Sequence, residues 1–132
     1  MKTFTVNTNA DVYELKDLLE AGERPARIVA FKYVRRVYKE SKRCSPYEYG
    51  EKRMLTYPKG ETISVKKFNK DEDFQCAAGI HVASKEWCQR DVGIRDDPES
   101  AFLILKVEVL GNIVIPQLTD GKFRTNRIKV LT

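Results

Sequence analysis

Apolar and polar residues alternate along much of this chain, and the departures from alternation fall at helical spacing. Between Arg27 and Tyr38, Val29, Phe31 and Tyr33 share one face of an extended strand, with Ala30, Lys32 and Val34 on the other. Phe102 to Val109 repeats the pattern, setting Leu103, Leu105, Val107 and Val109 against Phe102, Ile104, Lys106 and Glu108. Shorter alternations at Lys2–Val6, Arg53–Tyr57, Thr62–Val65, Ile113–Ile115 and Phe123–Leu131 predict further strands. Turn signals separate them at Pro58-Lys59-Gly60, Gly111-Asn112 and Asp120-Gly121. A helix is expected where Val12, Leu15, Leu18 and Leu19 recur, with Thr8 as its cap, Asp11 three residues on, and Gly22 and Pro25 as its stop. Ser84 caps a second, shorter helix through about Arg90, anchored by Trp87.

Two helices and six to eight short strands without regular βαβ alternation predict an α+β fold. The expected architecture is a curved, mainly antiparallel sheet with one N-terminal amphipathic helix and one short internal helix. The 132 residues suit a single domain. No apolar run approaches the ~20 residues of a membrane helix, and the N-terminus lacks the apolar stretch of a signal peptide. The expectation is a cytoplasmic protein with no membrane association. Cys44, Cys76 and Cys88 are odd in number and contain no CxxC pair, which fits reduced thiols rather than a disulfide framework. Their spacing with His81 matches no common zinc module, so no metal is expected.

The formal charge of +5 is unevenly placed. Residues 1–66 hold 14 basic and 9 acidic side chains, and residues 24–67 alone hold 13 basic against 4 acidic. Tyr33, Tyr38, Tyr47, Tyr49 and Tyr57 interleave with that excess. A basic, tyrosine-rich face of this kind attracts phosphates or an acidic protein, and Tyr with Arg favours interface hot spots. The candidate partner-binding residues are Arg35, Arg36, Lys39, Lys42, Arg43, Tyr47, Tyr49, Lys52 and Arg53. The competing reading is a solvated surface, with each tyrosine half-buried in the sheet.

Catalytic constellations are scarce. There is no Walker P-loop, GxGxxG, HExxH or GxSxG, and a Cys–His pair would need His81, five residues from Cys76 and seven from Cys88. His81 lies between Ile80 and Val82 in a short apolar run, so it faces a cleft or solvent if those two face the core.

The segment Cys76-Ala77-Ala78-Gly79-Ile80-His81-Val82-Ala83-Ser84 resembles a "C..G(I/L)HVAS" box of small phage-encoded domains, including the C-terminal part of the rIIB proteins of T-even-like phages. Ala30–Val34, Ser45-Pro46, Tyr49-Gly50, Leu105–Val109, Ile115-Pro116 and Lys122 to Leu131 follow the same order. The likeness covers residues 26–132, leaving residues 1–25 as an N-terminal strand and helix addition. It implies phage or prophage origin, in a family whose biochemical role is poorly defined, and suggests antagonism of a host process or defence; the partner expected of the basic face is then a host protein or nucleic acid.

More distantly, Gly79 to Trp87 and Phe102 to Ile115 are similar to blocks of the ADP-ribosyltransferase-like fold. That likeness implies a nucleotide as ligand, with Lys32 or Arg35 on phosphate and His81 and Ser84 lining the pocket. Such enzymes typically place a catalytic Glu near the late strands, but residues 111–132 contain no Glu and only Asp120 as an acid. The likeness therefore implies fold rather than activity, and no cofactor or catalytic residue is assigned. The order of expectation is a non-catalytic binding protein first, a nucleotide-directed protein second and a general nucleic-acid binder third.

Overall fold

A computed structural model describes residues 2–37, 42–44, 57–74, 77–95 and 101–132. Strand β1 (Thr3–Thr5) leads into helix α1 (Asn9–Glu20), whose start is closed by a capping box. The Thr8 hydroxyl accepts from the Asp11 amide at 3.2 Å, and the Asp11 carboxylate accepts from the Thr8 amide at 2.8 Å. Strand β2 (Arg27–Val37) then runs parallel to β1 in register Thr3 with Arg27, making one βαβ unit at the start of the chain.

Every other strand pairing among the described residues is antiparallel. In chain order these strands are β3 (Lys42–Cys44), β4 (Thr62–Ser64), β5 (Ile80–Ala83), β6 (Phe102–Val109), β7 (Ile113–Val114), β8 (Lys122–Thr125) and β9 (Arg127–Val130). Helix α2 (Lys85–Gly93) follows β5. The described residues thus form a nine-stranded sheet in the order β4-β9-β6-β2-β5-β8-β7, with β1 and β3 also on β2. The expected α+β fold is present, with one strand more than the upper end of the expected range.

β2 is the axis of the sheet. Seven of its residues pair with β6 along one edge, while its other edge meets β1, then β5 at Phe31 only, then β3. Its two faces separate as the alternation predicts. Ile28, Ala30 and Val34 join Leu105, Val107, Val109, Ile128 and Val130 in the main core, which Val12 and Leu15 of α1 complete. Phe31 and Tyr33 face the other way, onto Trp87 and Cys88 of α2 and Phe102 of β6. Val6, Val12 and Leu15 are fully buried, so the first 25 residues share the core of the rest.

One expected strand divides. Residues 123–131 were expected to run as a single strand, but the chain breaks at Asn126 into β8 and β9, which pair with different neighbours. At the corner Asn126 Oδ1 accepts from the Asn112 amide at 2.9 Å, which ties it to the turn between β6 and β7. Of the expected strand at 53–57, only Tyr57 lies among the described residues, and it is not in a strand.

Candidate functional site

The box segment is assembled around one glycine. Gly79 has φ +146°, and a Cβ there would lie 3.1 Å from Phe68 Cδ1 and 3.3 Å from Arg124 Cβ. From that turn Ile80 and Val82 enter the core, which sends His81 to the opposite side. Its Nε2–H donates to the Ala77 carbonyl at 2.7 Å, which closes the segment on itself and defines the tautomer. Burial holds the imidazole below its usual pKa; the bond to Ala77 opposes that shift, and Lys32, Lys122 and Arg124 add to it. His81 is thus a neutral donor near pH 7, committed to the backbone.

Ser84 ends the segment as the cap of α2. It is fully buried, accepts from the Trp87 amide at 3.0 Å and donates to Asn9 Oδ1 at 2.5 Å. It therefore ties α2 to the first turn of α1. Lys32 lies on the main-core side of β2, with 6% of its surface exposed. Its ammonium donates to the His81 carbonyl at 2.8 Å and lies 5.0 Å from the Tyr57 ring centroid. β2 and β5 share only the Phe31–Ala83 pair, so Lys32 carries the connection between these strands where further backbone pairing ends. Arg35, an odd number of residues away, lies on the other face, 5.3 Å from the Phe102 ring centroid. The structure thus brings Lys32 and His81 together through a backbone carbonyl and places Arg35 across the sheet from them.

The α2 face is a stack of rings and charges. Tyr33 lies 5.9 Å from Trp87 and 5.7 Å from Phe102, the latter edge-on. The Tyr33 hydroxyl donates to Asp91, while Arg95 Nε donates back to that hydroxyl at 2.9 Å and pairs with Asp91 at 3.6 Å. Cys88 is fully buried beneath this stack, and burial pushes its thiol up to about 12, far from the thiolate a nucleophile needs. Among the described residues no three His, Cys, Asp or Glu side chains cluster closely enough to hold a metal ion.

Arg124 is the residue that sequence reasoning passed over. It is opposite His81 on β8 and fully buried. Its guanidinium donates to three backbone carbonyls of one loop: Asn69 at 2.8 Å, Phe74 at 2.7 Å and Asp71 at 2.5 Å. Five fixed donors make arginine suited to gathering a loop in this way. No local pattern marks it, because its partners lie 50 to 55 residues away.

Of the expected partner-binding residues, Arg35 and Arg36 lie on β2, and Lys42 and Arg43 on β3. Lys39, Tyr47, Tyr49, Lys52 and Arg53 lie outside the described residues. The β2–β3 register sets Arg36 opposite Arg43 and Val37 opposite Lys42. Comparison with protein-family models, curated proteins and solved structures finds no match.

Proposed function

We propose that this protein is a non-catalytic binding protein of phage-type ancestry, engaging an acidic host protein through the ladder formed by the end of β2 and β3. The observation that carries this reading is the Arg36–Arg43 register, which gathers basic positions 35, 36, 42 and 43 onto one short two-stranded segment. Sequence places Lys39 within the connection between these strands and Tyr47, Tyr49, Lys52 and Arg53 shortly after it. Gathered positive charge of this kind steers an anionic partner and raises its association rate.

A second consideration favours binding over chemistry. Among the described residues, the side chains best suited to act on a substrate are occupied in holding the fold: His81 on Ala77, Ser84 on Trp87 and Asn9, and Cys88 beneath the aromatic stack. A bearing on host defence rests on the likeness to phage domains alone. The test is capture of a partner from nuclease-treated bacterial lysate by the wild-type protein and by an R36E/R43E variant of equal thermal stability. Loss of capture in the variant supports the reading; equal capture by both rejects it.

A further inference from the structure

Helix α2 covers only part of its side of the sheet. Beyond Phe31 and Phe102 the same face continues with Arg27 on β2, Lys106 and Glu108 on β6, Arg127 and Lys129 on β9, and Thr62 and Ser64 on β4. The register aligns Val29, Glu108, Lys129 and Thr62 in one row across four strands, with Arg127 opposite Ser64 in the next. Arg27, Lys106, Arg127, Lys129, Thr62 and Ser64 are all exposed. Glu108 pairs with Arg27 at 3.3 Å, whereas Lys106, Arg127 and Lys129 have no ion pair with any described residue. Among the described side chains, four cations therefore surround one carboxylate on a surface about 14 Å wide, three strand spacings across. Its Arg127 end opens into a cleft of about 310 Å3 lined by Ser64, Gly111, Asn112 and Asn126.

We propose that this four-stranded face binds the sugar–phosphate backbone of duplex nucleic acid without reading its sequence. Lysine and arginine beside serine, threonine and asparagine are the side chains that contact phosphate and sugar. A protein partner would be expected to find an aromatic anchor, and no described aromatic is exposed on this face; the one large apolar residue at its edge is Leu110, 40% exposed. The same lack of exposed rings disfavours single strands, which bind by stacking. This face is distinct from the β2–β3 ladder, so each proposal can fail without the other.

The test is a fluorescence-anisotropy titration of the full chain with a labelled random-sequence DNA duplex at several salt concentrations. Neutralising three or four phosphates gives a slope of log affinity against log salt of about −3, hence a roughly 60-fold loss between about 50 and 200 mM salt. An R127E/K129E variant of unchanged melting temperature should bind more weakly, with its slope reduced by about 2. Absence of saturable binding at about 50 mM salt, or a wild-type slope in the variant, would overturn the proposal. Competition by polyglutamate as effective as by unlabelled duplex of equal charge would also overturn it, in favour of an acidic protein.

Discussion

Replacing Arg124 with Met keeps most of the buried stem and removes the guanidinium, so it isolates the tie to the loop at residues 69–74. Three hydrogen bonds from a charged donor are lost, each contributing about 1.5–3 kcal/mol. Much of that gross loss is recovered, because residues 70–74 are exposed and their freed carbonyls can turn to water. A net loss of about 3 kcal/mol is expected, which at the usual unfolding entropy of a chain this size lowers the melting temperature by roughly 10 °C. Urea denaturation reads the first quantity and a thermal melt the second. Hydrogen exchange supplies the local reading: the amides of Asn69, Asp71, Asp73 and Phe74, bonded within this segment or to Ala78, should exchange faster in the variant. R124K should fall between the two proteins, since an ammonium cannot hold three divergent carbonyls as a planar fork does. If R124M stayed within about 1 kcal/mol of wild type with unchanged exchange in this loop, the role assigned to Arg124 would be wrong.

Other consequences follow from the same geometry. The folded-state pKa of His81 lies below its unfolded value, so its neutral form contributes stability that is complete above about pH 6.5 and lost as pH falls through the folded pKa. Thermal melts between pH 8 and pH 5 should fall less steeply for H81N than for wild type, and parallel curves would contradict this. Alkylation mapped by mass spectrometry should leave Cys88 unmodified in the native protein and label it in urea, and rapid native labelling would contradict its burial. G111A would place a Cβ 2.0 Å from Asn126 Oδ1 and 2.7 Å from the Arg127 amide nitrogen, so backbone must move. A loss of about 1–3 kcal/mol in urea unfolding is expected, and a neutral result would show that the β8–β9 corner is free to shift.

The parts of this fold visible in the sequence are those written locally. Alternation in β2 and β6 places their two faces correctly because the main core covers one face of each, while α2 covers the part of the other face that carries Phe31, Tyr33 and Phe102. Thr8 and Ser84 mark their helices because a cap acts within three residues. Residues acting over long distances carry no such mark. Lys32 reads as a polar strand residue, yet it is buried to reach a carbonyl on β5, and Arg124 reads the same way while gathering a loop 50 to 55 residues away. The candidate pocket suffered for the same reason. His81, Ser84, Lys32 and Arg35 are residue types that could serve chemistry, and only tertiary structure shows their bonds to backbone, cap and ring.

The central claim is that the β2–β3 ladder engages a partner, and its most direct measurement is quantitative capture from nuclease-treated bacterial lysate, wild type against R36E/R43E. The account predicts a stoichiometric partner that survives nuclease, binds the wild-type protein and is lost from the variant while both melt at the same temperature. Equal recovery by both proteins, or recovery of nothing once nucleic acid is removed, would contradict it.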